Sequence, residues 1–183
     1  MASKKQPDRR ADRAPRRAVA PAAAPAGRRY WLFKSEPSSY GFDQFARDGR
    51  TFWSGVRNYQ ARNLLRDEIH AGDGVLFYHS NADPMAVVGI ARVVRDGYPD
   101  HTAFDPNSPY HDPDSDPSAP TWFMVDIACV APCAAPVTRE QLKAVPELAD
   151  MVLLQRGSRL SVQPVTAAEW RTILQLGEVA ESW

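Results

Sequence analysis

The chain has 183 residues, of which 44% are hydrophobic and 24% are charged, and its formal net charge at pH 7 is zero. This length suffices for one well-buried domain and is too short for two domains of ordinary size. No apolar run approaches the roughly 20 residues that span a bilayer, and no apolar segment follows the N-terminal positive charges, so a secreted or membrane-inserted protein is not expected.

The zero net charge conceals two oppositely charged regions. Residues 1–29 carry nine Lys or Arg and two Asp, which gives +7, whereas residues 30–183 carry 13 basic and 20 acidic residues, which gives −7. The first region cannot bury enough apolar area to offset chain entropy, so we predict a disordered basic tail followed by one domain at 30–183. Such a tail can hold phosphate groups by counterion release, or it can be a solubilising extension or an organellar transit peptide.

The domain begins with a strand and two helical segments. Residues 30–34 are rich in aromatic side chains and predict a strand that Pro37 stops. Residues 43–47 predict one short helical turn. Asn58 is a suitable N-cap for a longer helix, which Gly72 ends. The apolar stripe of that helix consists of Leu64, Leu65 and Ile69.

The middle of the chain predicts a hairpin, a long loop and a further strand. Two strands at 74–79 and 85–94 are joined by a turn-prone segment. Residues 96–120 contain six prolines and six aspartates, so this segment is predicted to be largely irregular. The alternation at 121–130 predicts a strand with one face more buried than the other.

The C-terminal part predicts a short helix at 138–143 and a strand at 158–162, which Pro164 ends. Thr166 and Glu169 fit the capping box of a terminal helix. The buried stripe of this helix is predicted to be Trp170, Ile173, Leu174 and Leu176. Five or six strands interspersed with short helices favour an α+β domain with a curled sheet.

Motifs of the common catalytic and metal sites are absent from the sequence. There is no Gly-rich phosphate loop, no G-x-S-x-G turn and no H-E-x-x-H pair. The Asp-rich segment 111–116 lacks the glycine and the distal glutamate of a calcium loop. Cys129 and Cys133 lack further ligands for zinc, which predicts reduced, inert thiols in a cytoplasmic protein. We expect no cofactor and no metal ion.

Two groups of residues have chemistry suited to a site. The stretch W-S-G-V-R-N-Y-Q-A-R-N-L-L-R-D at 53–67 gathers guanidinium, amide and aromatic groups, which can stack on an unpaired base and read its edge. Further rings available for stacking are Trp31, Phe33, Phe77 and Tyr78, although most of them are expected in the core. Lys34 and Glu36 share a strand face and can form an acid-base pair, with Ser35 between them.

Several separated blocks in the same order resemble the EVE domain family. The resemblance covers about residues 30–176, nearly the whole domain. The blocks are F-K-S-E-P at 33–37, W-S-G-V-R-N-Y-Q-A-R-N at 53–63, G-D-G-V-L-F-Y-H-S-N at 72–81, Y-P-D-H-T-A-F-D-P at 98–106, P-Y-H-D-P at 109–113, W-F-M-V-D at 122–126 and G-S-R-L-S-V-Q-P-V-T at 157–166.

This resemblance implies a PUA-like fold, a curled β-barrel of five to six strands with flanking short helices. It also implies binding, without catalysis, of nucleic acid that carries a modified base, DNA more than RNA. The base, especially 5-methylcytosine or an oxidised derivative, would be flipped into an aromatic pocket. The ligand-binding residues that the resemblance suggests are Lys34, Ser35, Glu36, Trp53, Gly55, Val56, Arg57, Asn58, Tyr78, Arg159 and Ser161.

Within that set, Trp53 and Tyr78 are expected to stack, and Arg57 and Arg159 to hold phosphate or a base edge. Two alternatives remain open: a small hydrolase of modified nucleosides that uses Lys34 and Glu36, and a binder of modified RNA. Because the domain itself has a charge of −7, any nucleic-acid binding must come from a local basic patch, from the tail or from a weakly charged ligand. A protein with this function would lie in the nucleoid of a bacterium or the nucleus of a eukaryote.

Overall fold

The structure is a computed structural model that describes residues 27–180, so most of the predicted basic tail lies outside the described residues. Six strands form one mixed sheet. They are β1 Tyr30–Ser35, β2 Arg50–Trp53, β3 Gly74–His79, β4 Ala86–Pro99, β5 Phe123–Thr138 and β6 Val162–Val165. Their order in the sheet is β2-β5-β4-β3-β1-β6, with β1 and β3 parallel and the other neighbours antiparallel. The predicted α+β class and strand number are confirmed.

Short helices flank this sheet. The α-helices are α1 Pro37–Tyr40, α2 Phe42–Asp48, α3 Tyr59–Asp67, α4 Arg139–Lys143 and α5 Ala167–Leu176. The predicted caps are present: the Asn58 side chain accepts the Ala61 N–H at 3.0 Å, and Thr138 and Thr166 each form a capping box. Helix α3 ends before Gly72, at Asp67. Pro37 begins helix α1, because a proline at the first helical position sacrifices no hydrogen bond.

The sheet separates two hydrophobic cores. On one face, Trp31 and Phe33 of β1 join Phe77 of β3 and Leu65 of α3. On the other face lie residues of the intervening positions, together with the buried side of α5. The second core includes Leu32, Leu76, Tyr78, Trp170, Ile173 and Leu174. Leu176, predicted for the buried stripe of α5, is instead exposed.

Three strand predictions are wrong in extent or burial. Strand β4 continues to Pro99, into the segment predicted to be irregular. Strand β5 runs through Pro132 and Pro136 to Thr138, because β2 pairs with it only over Val125–Ala128 and no second strand needs donors from that edge beyond Ala128. Both faces of early β5 are buried, since Asp126 is covered by Tyr98 and Arg50.

The last strand was predicted in the wrong place. Residues 158–161 form an irregular loop, and β6 is Val162–Val165, which includes the proline predicted to end it. Pro164 is accommodated because β6 is the edge strand of the sheet, paired only with β1. An edge strand needs ladder hydrogen bonds on one side alone.

Candidate functional site

A cleft of about 550 Å³ opens where β1 and β2 end. Its walls come from the end of β1, the first helical turn, β2 with the turn that follows it, and two separate loop positions. The lining residues are Lys34, Ser35, Glu36, Ser39, Tyr40, Thr51, Phe52, Trp53, Ser54, Gly55, Val56, Tyr110 and Ser161. Pockets for small ligands have a volume of about 300–1,000 Å³, so the cleft is of a suitable size for a nucleobase.

The end of β1 supplies the polar wall of the cleft. The Lys34 N–H donates to the Ser161 carbonyl at 2.8 Å, which fixes Ser161 beside the strand. The Ser35 hydroxyl donates to the Tyr40 carbonyl at 2.6 Å. The Glu36 carboxylate accepts from the Asn81 amide at 2.5 Å. Lys34 and Glu36 are not within ion-pair distance of each other, so the predicted acid-base pair has no direct contact in the structure.

Trp53 forms the inner aromatic wall. Its ring centroid lies 5.1 Å from that of Phe33 and 5.5 Å from that of Phe77, both in the first core. Only 8% of the residue is exposed. The indole is therefore held rigidly, with a small part of its surface available to a ligand in the cleft.

Gly55 and Tyr110 meet at the outer wall. Gly55 has a φ of +76°, and a Cβ there would lie 2.7 Å from the Tyr110 ring. A glycine is required at this position by the backbone conformation and by the close approach of the ring. Tyr110 is 43% exposed, so its ring is far more accessible than that of Trp53.

A buried carboxylate holds this turn. Asp100, fully buried, accepts from the Gly55 N–H at 2.9 Å, from the Arg57 guanidinium at 2.8 Å and from the Thr102 hydroxyl at 2.6 Å. Burial alone would raise the pKa of Asp100, but the hydrogen bonds from Arg57, Thr102 and Gly55 outweigh it and lower the pKa. Arg57 also donates to the Tyr110 carbonyl at 3.0 Å, so one side chain connects Asp100, which holds the Gly55 turn, to the Tyr110 loop.

Four of the suggested ligand-binding residues do not line this cleft. Arg57 is engaged with Asp100 behind the wall, and the Asn58 side chain caps α3. Tyr78 is 1% exposed in the second core, where it cannot stack on a base in the cleft. Arg159 lies on an exposed loop beyond Ser161. Strand alternation explains Tyr78, because neighbours along β3 point to opposite faces.

The residue patterns missed two tyrosines of the cleft. Tyr40 is the last residue of α1, and its hydroxyl donates to Asp48 at 2.8 Å. Burial and this hydrogen bond raise the pKa of Tyr40 to about 12. Tyr110 lies in the segment predicted to be irregular. Its presence within the P-Y-H-D-P block was the available signal, but nothing in that loop indicated that it folds back onto Gly55.

Within residues 27–180 no group of three or more His, Cys, Asp or Glu is arranged to hold a metal ion. Cys129 and Cys133 are free thiols, and burial raises the pKa of Cys133 to about 11, which keeps it protonated and unreactive. None of the described helices is long and apolar enough to span a membrane.

Comparisons with known proteins agree with the fold. The sequence model of the EVE domain matches residues 29–176. Rat thymocyte nuclear protein 1 is 40% identical over 172 residues, which cover 84% of this chain and 75% of the rat protein.

Solved structures extend this likeness. A hypothetical protein from Leishmania major is 45% identical, with a TM-score of 0.79 over 83% of this chain and 96% of that chain. The human THYN1 protein, crystallised in complex with DNA that contains 5-methylcytosine, is 36% identical, with a TM-score of 0.76 over 84% of this chain and 99% of that chain. This chain belongs to the EVE domain family.

Proposed function

We propose that the domain binds 5-methylcytosine in DNA without catalysing a reaction, by accepting the extruded base into the cleft of about 550 Å³. The observation that carries the proposal is this cleft, with aromatic walls beside hydrogen-bonding groups, in a chain 36% identical to a protein crystallised with 5-methylcytosine DNA. Extrusion of a base costs a few kcal/mol, about the amount that stacking and edge hydrogen bonds can return.

Stacking is assigned to Trp53 and Tyr110. The packing of Trp53 against Phe33 and Phe77 fixes its ring before the base arrives, so little entropy is lost on binding. Tyr110 lies against Gly55 and is 43% exposed, so part of its ring is available to a base. A stacked base contributes roughly 1–3 kcal/mol for each aromatic side chain.

The base edge is assigned to the end of β1. A carboxylate accepts from the 4-amino group of cytosine, and Glu36 has acceptor capacity beyond its bond to Asn81. Lys34 and the hydroxyl of Ser161 can donate to the acceptor atoms of the same edge. Val56, nearly buried in the cleft wall, offers an apolar surface to the 5-methyl group.

The test is a fluorescence anisotropy titration with matched duplexes that contain cytosine or 5-methylcytosine at one position. The wild-type chain should prefer the modified duplex, and Tyr110→Ala should lower that affinity by about 5- to 100-fold. Tyr110→Ala keeps the carbonyl that Arg57 contacts and removes no core side chain. Tyr59→Ala, an exposed tyrosine outside the cleft, is the matched control. Equal affinity of the wild type for both duplexes would exclude the proposal.

One observation favours hydrolysis of a modified nucleoside as a second candidate. Burial and then the positive charge of Arg139 lower the pKa of Lys34, which increases the fraction of free amine available as a base. The lack of an ion pair with Glu36 weakens this candidate. Chromatography of free modified nucleosides after incubation would reveal a product if the domain is an enzyme.

Competition between RNA and DNA with the same base would reveal a preference for RNA.

The same proposal assigns a role to the N-terminal tail and a location to the protein. Residues 1–29, with a sequence charge of +7, would add salt-dependent affinity that does not depend on the base. The protein would act where DNA is kept, in the nucleoid or the nucleus. Removal of the tail should weaken binding to both duplexes alike.

A further inference from the structure

A basic surface adjoins the cleft on the side of Lys34. Two shallow depressions of about 410 and 440 Å³ flank the loop 155–160. Four cationic side chains line them, and neither depression is lined by an acidic residue. The cations are Lys34, Arg139, Arg156 and Arg159. We call this area the basic surface.

The arginines of the basic surface have no acidic partner among residues 27–180. In the described part of the chain, no carboxylate lies within ion-pair distance of Arg139, Arg156 or Arg159. By contrast, Arg57 and Arg50 are each neutralised by an aspartate. Residues 30–183 carry −7 in total, so uncompensated cations at one place create a local positive potential on an acidic domain.

The loop that carries two of these arginines is anchored from below. Gln163, 1% exposed on β6, donates its amide to the Ser158 hydroxyl at 2.9 Å and to the Leu160 carbonyl at 2.8 Å. Gly157 turns the chain with a φ of +80°. Arg156 and Arg159 are both exposed on this fixed loop. Guanidinium groups held in this way suit an anionic ligand with oxygen atoms in a fixed arrangement.

Lys34 connects the basic surface to the cleft. It lines both the cleft and the larger depression, and its backbone N–H binds Ser161 at the other end of the loop. Burial and then the positive charge of Arg139 lower the pKa of Lys34, and the second cause is expected when two cations share one surface. A nucleic-acid strand that leaves the cleft past Lys34 would therefore meet the cations of the basic surface.

We propose that the basic surface binds the phosphate backbone of the DNA strand whose base occupies the cleft. This inference rests on the proposed function and adds the path of the strand, past Lys34 and over the loop 155–160. Arg156 and Arg159 contact phosphate oxygens, and Arg139 contributes from the opposite side of the depression. Contacts to phosphate position the strand and carry no base preference.

The test compares the double variant Arg156→Gln/Arg159→Gln with a control, Arg92→Gln/Arg171→Gln, in the full-length chain. The control removes the same charge from exposed arginines that line neither the cleft nor the basic surface. Affinity for the cytosine and the 5-methylcytosine duplexes is measured by anisotropy between about 50 and 200 mM salt. Binding of free 5-methyl-2′-deoxycytidine is measured by calorimetry.

The double variant should lose about tenfold in affinity for both duplexes, and the slope of log K against log salt should become shallower by about 2. Its ratio of affinities for the two duplexes and its binding of the free nucleoside should equal those of the wild type. An unchanged slope, or an equal loss in the control, would overturn the inference. A shallower slope in the variant, with no duplex preference in the wild type, would instead overturn the proposed function and leave the phosphate surface standing.

Discussion

The turn 53–57 and the loop 155–160 lie on either side of Lys34 and are fixed in different ways. The turn is locked by Asp100, a fully buried carboxylate with a charged partner, and by an aromatic ring that touches Gly55. The loop is exposed, and a neutral amide from Gln163 holds it. In the proposed mode of binding, buried polar groups shape the site of the base, whereas the phosphate contacts come from exposed charges on an anchored loop.

Removal of the buried charge should have the largest effect. We expect Asp100→Asn to lower the free energy of unfolding by about 3–5 kcal/mol, because it leaves Arg57 partly buried without a counterion. Urea denaturation measures the loss. Asp114→Asn is the control, because Asp114 is exposed in the segment between β4 and β5 that also contains Asp100. It should change stability by less than about 0.5 kcal/mol.

The ion pair between Asp100 and Arg57 makes the stability of the fold depend on pH in a defined direction. The pKa of Asp100 is lowered in the folded state, so its stabilisation is fully present above the unfolded value of about 3.9. It is lost as the pH falls through the folded pKa. Wild-type stability should therefore decline below about pH 4 more steeply than that of Asp100→Asn. Parallel acid profiles would show that the Asp100 contacts contribute little.

Gly55 in the turn and Gly157 in the loop both have a positive φ, and substitutions there should have effects of intermediate size. Gly55→Ala places a Cβ 2.7 Å from the Tyr110 ring, whereas at Gly157 nothing lies within 4 Å of the same atom. Both substitutions incur the strain of a left-handed conformation, about 1–2 kcal/mol. Gly55→Ala should cost about 1 kcal/mol more and should also reduce preference for the modified duplex, because the aromatic wall moves. If Gly55→Ala and Gly157→Ala lose equal thermal stability and equal preference for the modified duplex, the contact between Gly55 and the Tyr110 ring is unimportant.

The smallest effect is expected at Gln163, which anchors the loop 155–160. Gln163→Leu removes two hydrogen bonds from a neutral amide and should destabilise the protein by about 1 kcal/mol. The loop would lose its fixed position, so affinity for both duplexes should fall by about threefold while their ratio stays constant. Gln175→Leu, an exposed amide on α5, is the control. A change in the duplex ratio would mean that the loop also reads the base.

Local signals in the sequence predicted much of the fold. Asn58, Thr138 and Thr166 cap helices as expected, since capping depends on residues within one turn. The position of β6 was missed because Pro164 is tolerated only at an edge, and edge position is a property of the whole sheet. Likewise, pairing with β4 keeps β5 in the sheet beyond its two prolines, which no local pattern in the sequence indicates.

The site was predicted in part for the same reason. Seven of the eleven suggested residues line the cleft, among them Trp53 and Glu36, because they lie in contiguous segments around two strand ends. Arg57 was expected to face a ligand, but Asp100, distant in sequence, binds it. Tyr110 was missed because its contact with Gly55 closes a loop of more than fifty residues, which no local pattern encodes.

The parallel pairing of β1 with β3 places Lys34 opposite Tyr78 in the sheet register, and the edge strand β6 is bonded to the other side of β1. The cleft and the basic surface are thus both attached to one frame of hydrogen-bonded strands, β6-β1-β3. In the proposed mode of binding, this frame fixes the distance between the site of the base and the sites of its neighbouring phosphates. With an extra linker atom between base and phosphate, the two groups could not reach their sites together. Binding would therefore weaken, whatever base the strand carries.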